Sequence, residues 1–279
     1  MSHNRQKKIA VINDFCGFGR CSLTVSLPII SALRLQCCPV PTSIFSNHTG
    51  FDSFFYTDYT GYMENYIEEW KKLGLRFNGI LTGFLGSPEQ TMIVKCFLEQ
   101  FKTRDTITVI DPVMGDYGKL YPTYSAALAE RMRTLVSFAD ILTPNLTEAC
   151  ILTETAYRAD MDEKEILRIC EKLSKSGPKK IVISGIARGE NLDNFVFEAG
   201  KAPVVVRKHK VGPCRSGTGD VFSSMIAADA VNGMEFVRSV RHAASFIAKV
   251  LCRAVELDLP KTDGICFEEY LSEIEKGEF

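Results

Sequence analysis

The chain has no run of about 18 apolar residues, the length that a membrane-crossing helix needs. No apolar segment follows its polar start, Met1 to Lys8, so neither a membrane span nor secretion is expected. Charge of neither sign accumulates. There are 33 basic and 34 acidic residues, a net charge of −1 and no long basic block. Nucleic acid is therefore not expected as a partner, because binding a phosphate backbone leaves a basic footprint. Histidines number only four and lie far apart, and no C-x-x-C occurs, which removes the common metal-site patterns. No G-x-x-x-x-G-K-[ST] occurs either, which excludes a P-loop enzyme. Internal repeats, low-complexity tracts and linkers are likewise missing.

What the chain does have is an ordinary globular composition: 279 residues, 46% hydrophobic and 24% charged. Its ten cysteines fall mostly in apolar runs such as Lys95–Leu98 and Val250–Cys252. They read as reduced, buried, small hydrophobes of a cytoplasmic protein. Short apolar runs at Ile9–Ile12, Pro39–Ile44, Gly79–Thr82, Thr108–Ile110, Ile141–Leu142 and Lys180–Ser184 read as strands. The prolines of the second suggest an edge position or an irregular entry. Helical periods fall at Tyr62–Leu73, Pro88–Phe101, Ser125–Val136, from about Thr147, at Lys164–Ser174, Gly219–Asn232, Glu235–Arg253 and Phe267–Lys276. Asn194–Phe197 and Val204–Lys210 have no helix between them and read as an antiparallel pair. This alternation predicts one α/β domain over residues 1–279, with a mostly parallel sheet covered on both faces and an antiparallel edge.

In such sheets ligands bind beyond the carboxyl ends of the strands. The polar residues there are Asn13-Asp14, Asn47-His48-Thr49, Thr82-Gly83, Asp111, Thr143 with Asn145, and Ser184. Gly217-Thr218-Gly219-Asp220 opens a helix of small residues. Glycines let backbone approach an anion, and the first helical N–H groups lack internal partners. Asp220 repels phosphate, which makes sense if it takes a proton from an alcohol attacking that phosphate. The plain alternative is a turn followed by an ordinary helix cap. Asp111-Pro-Val-Met-Gly115-Asp116 offers a carboxylate for Mg²⁺ or its water, or else a turn. Thr143-Pro-Asn145-Leu-Thr147-Glu148 offers metal-water ligands, or else a helix capped by Thr147. His48 sits in a glycine-flanked polar loop, where a lone histidine is more often structural. Gly17-Phe-Gly19-Arg-Cys-Ser22 is a broken dinucleotide fingerprint lacking its third glycine and its acidic partner, so an oxidoreductase is a weaker reading. A non-catalytic ligand-binding protein is another.

Together Phe45–Phe51, Leu81–Gly86, Asp111–Gly115, Thr143–Glu148 and Gly217–Asp220 resemble, in order, the pyridoxal kinase branch of the ribokinase-like superfamily. The resemblance implies a ribokinase-like three-layer α/β/α sandwich, ATP and Mg²⁺ with a monovalent cation such as K⁺, and a homodimer. It implies transfer of the γ-phosphate to the 5′-hydroxyl of pyridoxal, pyridoxamine or pyridoxine. Asp220 is then the base, and Gly217, Thr218 and Gly219 form the anion hole. Asp111 and Glu148 lie by the metal, with Asn145 by the phosphates and Thr143 and Ser184 toward ATP. Asp116 and Tyr121 lie in the loop above. Thr49 bonds the substrate beside His48, Phe45 and Phe84 flank its ring, and Asn13 contacts it. Asn13 stands where the family has Ser, Phe84 where it has Tyr, and the Asp14–Cys21 loop departs from the usual one. These differences keep the sister activity open, phosphorylation of a hydroxymethylpyrimidine. Cys214 is expected to be a bystander, with Arg215 beside it.

Overall fold

The computed structural model describes residues 2–121 and 124–275. Its strands and helices alternate along the chain as β1 (Lys8–Cys16), α1 (Leu23–Ala32), β2 (Gln36–Phe45), β3 (Tyr56–Asp58), α2 (Thr60–Lys72), β4 (Gly79–Thr82), α3 (Pro88–Phe101) and β5 (Ile107–Ile110). A two-strand hairpin follows, β6 (Gly115–Asp116) and β7 (Lys119–Leu120), then α4 (Ala126–Val136), β8 (Ile141–Leu142), α5 (Leu146–Thr153) and α6 (Glu163–Lys175). The chain continues as β9 (Lys180–Arg188), β10 (Asn191–Glu198), β11 (Val204–His209), α7 (Thr218–Val231) and α8 (Phe236–Glu256).

One sheet carries nine of these strands, in the order β11-β10-β9-β8-β5-β4-β1-β2-β3. The six strands from β9 to β2 run parallel. Antiparallel strands close both edges, β10–β11 on one side and β3 on the other. The antiparallel edge expected from sequence is therefore present, and a second one was missed.

Alternation of side chains along a strand explains the three layers. Ala10 and Ile12 join a core with Val40, Ile80, Ile110 and Leu142, on which α2 to α6 pack. Ile9 and Val11 face the other way, joining Leu81, Val109, Ile141 and Val182 beneath α1, α7 and α8. Both faces of the central strands are thus dry, which is why they read as continuous apolar runs.

Two further expectations are corrected. The helix α1 was missed because Pro28 lies inside it and its first residues follow a glycine-rich loop. The proline-bearing stretch of β2 does lie at an edge, since β3 covers only Ser43 to Phe45 and Pro39 and Pro41 pair with β1 alone. Pro39 turns its carbonyl outward, to the Tyr66 hydroxyl at 2.8 Å, so its missing N–H costs no ladder bond. The expected helix at 267–276 is a short 3₁₀ turn, Glu268–Tyr270, followed by further turns, and Lys276 lies outside the described residues. No helix among the described residues is long and apolar enough to cross a membrane.

Candidate active site

The parallel ladder continues one step past the strands and sets a row of residues along their carboxyl ends. Gly83 donates to the Ile12 carbonyl (2.8 Å), Asp111 to Thr82 (3.1 Å), Thr143 to Ile110 (3.1 Å) and Ser184 to Pro144 (2.9 Å). At the first of these ends β1 slips register against β2 between Asn13 and Phe15. Such a bulge re-aims side chains, and here both Asn13 and Asp14 are buried in succession.

Opposite this row α7 begins. Gly217 precedes it with φ 80°, and no side chain caps the helix. The glycine is required: a Cβ there would lie 2.1 Å from the Arg20 carbonyl oxygen. Gly219 has open space where its Cβ would be. As at any helix start, the first amides of α7, those of Thr218 and Gly219, have no intrahelical partners. Thr218 itself bonds back, its hydroxyl donating to Arg215 at 3.2 Å.

Asp220, in the first turn of α7, takes hydrogen bonds from the Asn13 side-chain amide at 3.1 Å, from the Ser22 main-chain N–H and from its own. Burial outweighs these bonds and holds its carboxyl above the usual range. Two more carboxylates couple to it. Burial pushes Asp14 up to about 7, with the Ser22 hydroxyl opposing and Asp220 adding repulsion. Burial and the Asp220 charge push Asp111 up to about 8, against the Ser223 hydroxyl. Three like charges converge here on the start of one helix. Burying them together costs stability when they are ionised, which is why all three carboxyls hold their protons more tightly than usual.

The neighbouring helix start, that of α5, is closed. Asn145 accepts from the Glu148 N–H at 2.9 Å, and Glu148 accepts from the Asn145 N–H at 2.8 Å. Asn145 is therefore the cap, and Thr147, expected in that role, is not; its hydroxyl takes the Gly118 N–H at 2.9 Å. Glu148 also accepts from Met114 N–H (3.0 Å), and Asn145 donates to the Gly115 carbonyl (2.8 Å). Both thereby fix the segment that leads from Asp111 into the β6–β7 hairpin. Burial, then the Asp111 charge, keep the Glu148 carboxyl well above its ordinary range. Asp116 lies on β6, its carboxyl raised by burial, and Tyr121 follows β7, its N–H on the Met114 carbonyl at 2.9 Å. Thr143 is buried at the end of β8, and Ser184 is half-buried beside Asn145.

The residues expected at the substrate have the following surroundings. Asn13 is buried, and its oxygen accepts from the Asp14 and Phe84 main-chain N–H groups at 3.0 and 2.8 Å. His48 bonds the Thr262 carbonyl through Nε2 at 2.7 Å and accepts from Gly50 N–H through Nδ1 at 3.0 Å. Both of its nitrogens thus serve the main chain and tie two loops together, the structural role. Phe45 is stacked on Tyr56, 5.2 Å between centroids, and meets Phe84 edge-on at 6.1 Å. Thr49 is exposed. Arg215 does not face the anion loop: its buried guanidinium donates to the Pro260 and Ala254 carbonyls. Cys214 is exposed and reaches the Tyr117 hydroxyl of the hairpin. Reading the sequence missed Ser22, which grips both Asp220 and Asp14. A serine ahead of the apolar run Leu23–Ile30 was its one available signal.

Strand-end carboxylates, a glycine-led helix start left open, and a carboxylate in its first turn define a phosphotransferase of the ribokinase-like class. The chain belongs to the phosphomethylpyrimidine kinase family, whose model matches residues 27–263. It is similar to the pyridoxal kinase of Arabidopsis thaliana, 32% identical over 67% of this chain and 62% of the relative, so the match spans less than two thirds of that protein. A protein of Bacteroides thetaiotaomicron VPI-5482, provisionally called a phosphomethylpyrimidine kinase, is 35% identical over 99% of this chain and 96% of its own, with a TM-score of 0.96. Another crystal form of it, with pyridoxal, gives 34% identity over 97% and 96%, with a TM-score of 0.94. A pyridoxal kinase from Leishmania donovani in complex with ADP shares the fold, at 19% identity over 96% of each chain and a TM-score of 0.86.

Proposed function

We propose that this kinase transfers the γ-phosphate of ATP to the 5′-hydroxyl of a B6 vitamer: pyridoxal, pyridoxamine or pyridoxine. The observation that carries the reading is Asp220, a buried carboxylate in the first turn of an uncapped helix. In this reading Asp220 takes the proton of the attacking hydroxyl. The amides after Gly217, with Thr218 and Gly219, stabilise charge on the phosphoryl group in flight. Thr143, Asn145 and Ser184 line the nucleotide side, and Asp116 and Tyr121 cover the reacting groups from the hairpin. Phe45, Phe84 and Thr49 border the ring.

Mg²⁺ fits the donor set. Asp111 and Glu148 are buried hard-oxygen donors, and after burial the Asp111 charge raises the proton affinity of Glu148. Among the described residues no group of three or more His, Cys, Asp or Glu can hold a metal. Asp111 and Glu148 would therefore hold the ion partly through water, and the ion would neutralise phosphate charge. K⁺ and a homodimer rest on the resemblance. Light scattering in solution tests the dimer, which should read about twice the 31.1 kDa of one chain. A cytoplasmic location is supported by the cysteines, all ten of them free. One domain over residues 1–279 is supported by the single sheet that organises both cores.

The test is ATP consumption with pyridoxal, pyridoxamine, pyridoxine and hydroxymethylpyrimidine, with and without Mg²⁺. Turnover of at least one vitamer is expected. Turnover of the pyrimidine alone would give the site to the sister reaction.

A further inference from the structure

We infer that Asn13 is a positioning residue for the base Asp220, one that aims an amide donor at its carboxylate. This rests on the reading of Asp220 given above. The Asn13 oxygen is committed twice, to the main-chain N–H groups of Asp14 (3.0 Å) and Phe84 (2.8 Å). Those two bonds fix the amide's orientation, since a flipped amide would set NH₂ against two donors. The NH₂ group must then face Asp220, which it meets at 3.1 Å. Gly83 makes the arrangement possible: a Cβ there would fall 2.5 Å from the Asn13 amide. One side chain thereby joins the end of β1, the turn after β4 and the first turn of α7, and aims a donor at one oxygen of the base. The amide is buried, its oxygen taking two main-chain N–H groups and its nitrogen giving one N–H to Asp220.

The donor matters because of what else faces Asp220. Asp14 on β1 and Asp111 after β5 both couple to it, as do the thiols of Cys16 and Cys21. All of these would be neutral or negative, and burial also disfavours the charged form. A base must nonetheless be ionised to accept a proton. Hydrogen bonds from the Asn13 NH₂ and the Ser22 N–H favour that form. Asn13 bonds only main-chain groups of Asp14, so changing it acts on the Asp220 carboxylate first.

The experiment compares kcat and kcat/KM from pH 5 to 9 for wild type, Asn13→Asp, Asn13→Ala and Asp220→Asn. Thermal melting serves as the folding check. Asn13→Asp keeps an oxygen for both main-chain donors but turns a second carboxylate on Asp220. We expect kcat to fall about 10–100-fold at neutral pH. The acid limb should move to higher pH, because a base that has lost its donor holds its proton more tightly, while KM for ATP stays within a few-fold. Asn13→Ala adds no charge and should move the limb the same way; it carries the test if Asn13→Asp does not fold. A uniform fall across pH, or an unmoved limb with altered ranking among vitamers, would overturn the inference. If Asp220→Asn retained near wild-type kcat, the base assignment itself would fall. An inactive Asp220→Asn beside an unmoved limb in Asn13→Asp would overturn only the positioning role.

Discussion

Two helices begin at the same rim and are finished in opposite ways. The start of α5 is sealed by a reciprocal pair, Asn145 and Glu148, each accepting from the other's main chain. The start of α7 has Gly217 in the left-handed region and no side-chain cap. It also carries an acidic residue, Asp220, whose side chain reaches across to Asn13 and Ser22. A helix start whose carboxylate takes only its own N–H, and otherwise turns to Asn13 and Ser22, gives up stability for open amides at Thr218 and Gly219. The sealed start positions a loop and the Glu148 carboxyl; the open one is where phosphoryl charge can be received. The contrast also separates two meanings of an acidic residue near a helix start, which look alike in sequence.

The sharpest way to break the contrast is Asp220→Asn. Asparagine keeps the size and can still accept from Ser22, but it takes no proton. If α7 is the catalytic start, kcat should fall by about 10²–10⁴-fold while the protein stays folded, as read by steady-state kinetics beside a melting curve. Relief of repulsion with Asp14 and Asp111 should leave the variant at least as stable as wild type above neutral pH. Near wild-type kcat would make Asp220 an ordinary first-turn residue, and α7 no different in kind from α5.

A pair of glycine substitutions sharpens the same point. Gly217→Ala meets both a left-handed φ, costing roughly 1–2 kcal/mol, and the Arg20 carbonyl at 2.1 Å. The loop before Ser22 must shift, so stability and turnover should drop together. Gly219→Ala meets nothing within 4 Å, and alanine suits a helix better than glycine by about 1 kcal/mol. Its melting temperature should hold or rise while kcat/KM for ATP falls, because the methyl enters the space in front of the amides. Full activity in Gly219→Ala would mean that no phosphate approaches that space.

How much of this could be read beforehand depends on distance along the chain. Apolar runs and helical periods are local, and they located the six parallel strands and a helix such as Pro88–Phe101. Topology then gathered Asp111, Asn145, Glu148 and Ser184 at one rim, since in a parallel sheet every strand ends on the same side. Partners were not legible. Asn13 bonds residues 71 and 207 positions away, and nothing local distinguishes an amide that serves the base from one that serves a ligand. The bond that holds His48 was hidden for the same reason, its partner Thr262 lying 214 positions on. Arg215 precedes the glycine loop in sequence, yet its side chain follows the end of α8 inward. The two-residue strands β6 and β7 are too short to show any period at all.

The smallest effect tests the sealed start. Asn145→Ala removes the acceptor for the Glu148 N–H and the donor to the Gly115 carbonyl. Loss of a cap typically costs about 0.5–2 kcal/mol, so denaturant unfolding should show a lower midpoint with an unchanged slope. Turnover per folded molecule should fall only a few-fold, through a looser hairpin above the site. Asn145→Asp separates the two bonds: aspartate still accepts from the Glu148 N–H, but it cannot donate to Gly115, and it sets a second charge beside Glu148. Stability should then recover at low pH and be lost as pH rises and both carboxyls ionise, since burial already keeps Glu148 reluctant to do so. Were Asn145→Ala to lose kcat by 10²-fold or more with its unfolding midpoint unmoved, α5 would belong to the chemistry as fully as α7. The distinction between a helix start that builds and one that reacts would then have to be drawn elsewhere in the site.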